Sequence, residues 1–326
     1  MKRLLVPVDF TENTRSVLAT AETLARTYDA GMYLIYVAPP PDLGTSAVYG
    51  GFGPHETETD HRVFENQLNA MAKDLSERGI NAVAVYRQGD VVETIAEEIA
   101  SREIDHIVIG SHRHSSVYDL FLGSTTEGVL RRTTRQCPVT VVPMTELDDE
   151  PVASRKDRKI RFLVPVDFSV GTDGVIDLAA QMSKVFNGSV HLVHAVPVAD
   201  PAVVGVEVPP TFPAVVERRE AARSQLDAAA EKLLDANCTV DTSITSGAPV
   251  EAIIRDAGKQ LADWLIMGSH GHGKLYELLV GSTTEGVLRQ INVPVTIVAC
   301  EEAVKANEPD DDPLSEEATM AAISAL

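Results

Sequence analysis

Short apolar runs alternate along this chain with longer stretches whose apolar positions fall three and four apart. Residues 2–9 (Lys-Arg-Leu-Leu-Val-Pro-Val-Asp) form a nearly continuous apolar run, the pattern of a parallel strand buried on both faces. Thr11 can cap a following helix over 12–28, which Ala30-Gly31 would end. A second apolar strand is predicted over 32–37, and a polar, Pro- and Gly-bearing loop over 38–60. Then come a helix over 61–78, a strand over 82–86, a turn at Gly89, a helix over 91–101 and a strand over 104–109. A glycine-bearing loop, a capped helix and a last strand over 139–142 complete the series. Alternating strands and helices predict an α/β fold, an open parallel sheet with helices on both faces. Right-handed crossovers leave few topologies for it.

The whole pattern then repeats. Gly-Ser-Thr-Thr-Glu-Gly-Val-Leu-Arg stands at 123–131 and again at 281–289, and nine identical residues are not a coincidence. Pro7-Val8-Asp9 matches Pro165-Val166-Asp167, Gly89 matches Gly247 and Gly110 matches Gly268, always 158 positions apart. The chain is an internal duplication. It divides into a first domain over 1–145, a polar linker over 146–158, a second domain over 159–300 and an acidic, Pro-bearing tail over 301–326 with the composition of a disordered segment. A length of 326 residues suits two domains, each able to bury its own core.

Charge and composition narrow the functions. A net charge of −20 argues against nucleic acid, whose binding rests on clustered Lys and Arg. No apolar run approaches the length that crosses a bilayer, and no secretory leader is evident, so a cytoplasmic location is expected without membrane association. Cys137, Cys238 and Cys300 have no metal-type spacing and read as incidental thiols of a reducing compartment.

The chemistry concentrates after the fourth strand of each half. In the second half an apolar strand at 264–267 leads into Gly268, Gly271 and Gly273, then Gly281-Ser282-Thr283-Thr284-Glu285. Small residues let backbone N–H groups approach a ligand, and the Ser-x-x-Glu pattern starts a helix by a capping box. A helix start of this kind also holds anions, so phosphate is the expected ligand. In open parallel sheets ligands lie at the carboxyl ends of the strands, where Asp167 and the end of the second strand, Ala195, converge with the glycine loop. The string Gly268-x4-Gly273-Lys274 nearly spells a P-loop, but Leu275 stands where the Mg²⁺-binding hydroxyl should be, and the first half lacks the pattern. No dinucleotide fingerprint opens a helix after the first strand. His112/His114 and His270/His272 have no third ligand recurring in both halves, so no metal site and no catalytic residue is assigned.

Gly268-x2-Gly271-x9-Gly281-Ser282, after an apolar strand and paired with Val-Pro-Val-Asp, resembles the nucleotide-binding signature of the universal stress protein family. The resemblance covers both repeats. It implies an ATP-binding α/β fold, Rossmann-like, with two tandem five-stranded sheets of strand order 3-2-1-4-5, and a role in stress response. It also implies that Val166 and Asp167 meet adenine and ribose, that Ala195 lines the adenine pocket, and that Met267, Gly268, Gly271 and Gly281 shape the loop. Ser282, Thr283 and Thr284 would hold phosphates, with Mg²⁺ as a possible companion; Pro165 and His272 complete the set. In the first half the same roles fall on Pro7, Val8, Asp9, Val37, Ile109, Gly110, Gly123, Ser124, Thr125 and Thr126. There Arg113 stands in place of the second glycine, where a side chain either blocks backbone approach or pairs with phosphate. The second site is therefore the stronger.

The last strands, 139–142 and 295–298, would be exposed edges, each starting at a proline. The duplication offers a partner: the two edges pair across a pseudo-two-fold axis, making the chain an internal dimer, with pairing between chains as the alternative. The reading is a non-enzymatic, ATP-binding sensor or adaptor with an unidentified protein partner. A scaffold without nucleotide and a slow ATPase remain open alternatives.

Overall fold

The computed structural model describes residues 1–39, 58–111, 122–144, 159–196, 213–269 and 280–299. The linker, the acidic tail, most of both long loops, the four His-x-His imidazoles, Arg113, Gly271, Lys274 and Cys300 lie outside the described residues.

The first half contains β1 (Arg3–Pro7), α1 (Thr14–Tyr28), β2 (Gly31–Ala38), α2 (Glu58–Glu77), β3 (Ala82–Gln88), α3 (Val91–Arg102), β4 (His106–Gly110), α4 (Ser124–Thr133) and β5 (Val139–Val142). The second contains β6 (Arg161–Pro165), α5 (Thr172–Val185), β7 (Ser189–Val196), α6 (Pro213–Asp235), β8 (Thr239–Ser246), α7 (Pro249–Gln260), β9 (Trp264–Gly268), α8 (Ser282–Leu288) and β10 (Val295–Val298). Continuous apolar runs became central strands: Leu4, Leu5 and Val6 of β1 and Phe162, Leu163 and Val164 of β6 are fully buried. Each sheet has cores on both faces, as parallel strands covered by helices require.

Strand order is β3-β2-β1-β4-β5-β10-β9-β6-β7-β8, two parallel 3-2-1-4-5 sheets fused into one. The fusion is antiparallel, with Thr296 opposite Thr140. It removes the two hazardous edges by pairing them with each other. A buried polar chain crosses the seam: Trp264 Nε1 donates to Thr296 Oγ1 (2.8 Å), which bonds Thr140 Oγ1 (2.8 Å), which bonds His106 Nε2 (2.7 Å). His106 and Trp264 occupy equivalent positions, so the pseudo-symmetry is broken at its centre. Burial holds the His106 imidazole neutral, its pKa pushed down to about 3.

The helix boundaries correct two expectations. Helix α1 starts at Thr14 behind Asn13, not under Thr11, and Asn13 makes no side-chain cap bond. Its end is made by Asp29 in the left-handed conformation (φ 51°), while Gly31 already opens β2. The equivalent turns before α3 and α7 do use glycine: Gly247 has φ 128°, a region side chains avoid. Cys137 and Cys238 are buried, and burial pushes the Cys137 thiol up to about 12, as befits an inert packing residue.

Candidate functional site

The carboxyl ends of β6, β7 and β9 bound a cavity of about 740 Å³. Pro165, Val166, Asp167, Ala195, Met267, Gly268, Gly281, Ser282, Thr283 and Thr284 all line it, so residues scattered over 120 positions of sequence meet in one place. Gly271 and His272 fall outside the described residues.

The connection from β6 to α5 is built around Asp167. Its Oδ1 accepts from the Ser169 N–H (3.0 Å), which turns the chain toward the helix. Phe168 takes φ 61°, and Phe10 takes φ 57° at the same place in the first half. A bulky residue held there costs on the order of 1–3 kcal/mol, so the surrounding structure enforces the turn twice. The strain aims each ring at the second strand: Phe168 lies 4.5 Å from the His194 ring. His194 Nδ1 donates to the Val166 carbonyl (2.7 Å), fixing its proton on that nitrogen.

The glycine turn opening α8 departs from the capping-box expectation. Gly281 is the N-cap, so Ser282 is the first helical residue, and neither Ser282 nor Ser124 caps its helix with a side chain. The ends of the preceding loop are tied by the Gly281 N–H donating to Ser269 O (2.7 Å). Thr284 Oγ1 donates to Gly268 O (2.9 Å), and Thr126 does the same to Gly110 O (2.7 Å), so that hydroxyl holds β-strand to helix in both halves. Gly286 and Gly128 seat against Val250 and Val92, which a methyl group would meet at 2.7 and 2.6 Å. Part of the identical nine-residue block is thus explained by helix packing.

Cavity residues that motif reading missed come from helices α5 and α6. Gly171 and Thr172 form one wall, and the Thr172 hydroxyl is buried with no partner among the described residues. Arg218, Ala222 and Gln225 form another. Arg218 makes no hydrogen bond or ion pair with any described residue. The available signal was the register between repeats, which sets Arg218 opposite Asp60 in sequence.

The first half differs. Pro7, Val8, Asp9, Val37, Ile109, Gly110 and Thr125 line a cavity of only about 130 Å³. Gly123, Ser124 and Thr126 are not among its walls. Asp9 is committed internally: its Oδ1 accepts from Thr11 N–H (3.1 Å), Thr11 Oγ1 (2.8 Å) and Thr14 Oγ1 (2.9 Å). Asn13 is 7% exposed, and neither its carboxamide oxygen nor its nitrogen finds a partner among the described residues.

Comparison with known proteins agrees with this architecture. The universal stress protein family model matches residues 1–143 and again 160–299. A universal stress protein of Methanocaldococcus jannaschii is 38% identical over 79 residues, 24% of this chain and 49% of that protein, so the match spans about half of the relative. One from Mycolicibacterium smegmatis is 24% identical over 309 residues, 90% of this chain and 96% of that protein. The crystal structure of a universal stress protein from Archaeoglobus fulgidus has the same fold, with TM-score 0.66 over 91% of this chain and 96% of that one, at 24% identity. With both halves matched, the chain belongs to the universal stress protein family, as a tandem of two of its domains.

Proposed function

We propose that this protein binds ATP in its second half and acts as a nucleotide-dependent sensor or adaptor in a stress response, without a catalytic role. The observation that carries the reading is the 740 Å³ cavity at the carboxyl ends of β6, β7 and β9, within the size range of cofactor sites. Its walls suit the ligand in parts. Val166, Ala195, Met267 and Ile253 offer apolar surface for a base. The Asp167 carboxylate accepts hydrogen bonds of the kind ribose hydroxyls donate. Gly268 and Gly281 admit close backbone approach, and Ser282 and Thr283 supply hydroxyls at a helix start, the arrangement that suits phosphate. Arg218 brings a cation able to pair with a phosphate, and the buried Thr172 hydroxyl, without a partner among the described residues, can bond a ligand oxygen. Mg²⁺ would bind through phosphate oxygens, which commonly supply most of its ligands.

The family and the geometry together support an adenine nucleotide. Protein purified from cells, denatured and analysed for released nucleotide should yield adenine nucleotide. Calorimetric titration with ATP and Mg²⁺ should give binding that Asp167→Ala weakens about tenfold, the loss expected when a charge-assisted hydrogen bond is removed. No released nucleotide together with no heat of ATP binding sinks the reading and leaves a scaffold.

A further inference from the structure

The two halves carry the same Pro-Val-Asp and Gly-Ser-Thr-Thr-Glu blocks, with Arg113 in place of Gly271, around cavities of about 130 and 740 Å³. Tyr36 stands for His194 and Val63 for Ala221, and three further flanking positions also carry a larger residue in the first half. Asn13 stands where the second half has Gly171, Val37 where it has Ala195, and Phe64 where it has Ala222. The register is secure in the helix concerned, because Leu68 and Leu75 of α2 and Leu226 and Leu233 of α6 are the matching core residues.

Asn13 and Val37 line the small cavity, and Phe64 packs beside it on Phe10 and Tyr36. The Asn13 carboxamide abuts the end of β4: a Cβ on Gly110 would lie 2.4 Å from its Nδ2. In the second half the equivalent strand end, Gly268, faces open cavity beside Gly171. Phe64 stacks on Phe10 (5.4 Å, 19°) and packs on Tyr36 (4.9 Å), and Tyr36 in turn meets Tyr86 (5.9 Å). Phe10 is thereby covered and is absent from the walls of the small cavity, whereas Phe168, its equivalent, lines the large one beside Ala222.

We infer that each chain binds one ATP, in its second half, and that Asn13, Val37 and Phe64 close the first site. Closure comes at a cost: the Asn13 carboxamide is buried with neither polar atom hydrogen-bonded among the described residues, a destabilising arrangement. A cavity of 130 Å³ is smaller than the roughly 300 Å³ at which cofactor sites begin, so a whole nucleotide does not enter. The inference rests on the ATP reading above and adds the number of sites and the residues that set it.

Calorimetric titration of the full chain with ATP and Mg²⁺, with bound nucleotide counted by native mass spectrometry, tests it. The wild type should take one ATP. Asn13→Gly, Val37→Ala and Phe64→Ala combined should raise the count to two. Because that triple variant loses packing, the converse pair Gly171→Asn and Ala222→Phe is made as well, and should weaken the single site at least about tenfold. Two sites in the wild type overturn the inference while leaving ATP binding intact. So does a folded triple variant that still binds one ATP, or a folded converse variant with undiminished affinity. No binding by the wild type at all instead removes the ATP reading and this inference with it.

Discussion

The first half of this protein is a filled copy of the second. Both have Pro-Val-Asp at the end of the first strand, a Phe at positive φ, and the same glycine-led helix. One encloses a cavity several times the volume of the other. The lesson is that a shared motif does not by itself set the volume of the pocket it surrounds. Packing density explains why so little is needed: protein interiors have few voids, so one ring and one carboxamide suffice to occupy a site.

A second asymmetry lies at the seam, where the comparison is sharpened most strongly by mutation. Trp264 is 1% exposed, packs near Phe162 and Phe186, and donates into the Thr296–Thr140 chain. Trp264→Ala should cost about 3–5 kcal/mol of stability in urea denaturation. His106→Ala, at the matching position, should cost visibly less, because it removes a smaller ring whose Nδ1 has no partner among the described residues. Equal losses would mean that the halves contribute symmetrically to the seam.

The same histidine predicts an effect of pH. Its folded pKa, about 3, lies below its ordinary value near 6.5, so the unfolded chain binds the proton more tightly. Its contribution to stability is therefore full above pH 6.5 and is lost as pH falls toward 3, with a slope of at most about 1.4 kcal/mol per pH unit. Denaturant midpoints measured from pH 7 to 4 should fall less steeply for His106→Leu than for the wild type. Parallel curves would show that the imidazole is not held neutral.

The smallest expected effect compares two helix ends. Glu103 closes α3 and Leu261 closes α7, both in the left-handed conformation at φ 50°. Leu261 is 64% exposed, so Leu261→Gly should raise stability by about 0.5–1 kcal/mol through relief of strain. Glu103→Gly should gain slightly less, since it also removes an exposed ion pair with Arg3. Thermal midpoints of the two variants measure the difference directly.

Much of the fold was legible from the chain. Apolar runs at 2–9 and 264–267 announced buried parallel strands, and the matched blocks at 123 and 281 announced two domains. The proposal that the last strands pair with each other also held, since Val139–Val142 and Val295–Val298 are antiparallel neighbours. The capping pattern misled because Ser-x-x-Glu can equally follow a glycine N-cap, as it does at Gly281. Thr284, read as a phosphate ligand, lines the cavity, and its hydroxyl also spans strand and helix in the same way as that of Thr126.

The sequence by itself determined the alternation of strands and helices, the duplication and the positions of the glycine turns, because these depend on local periodicity and on residues repeated in register. Only the tertiary structure decided which repeat keeps an open pocket. Asn13, Val37 and Phe64 are ordinary residues on three different elements, and their volumes matter only once the fold brings them to the same strand ends.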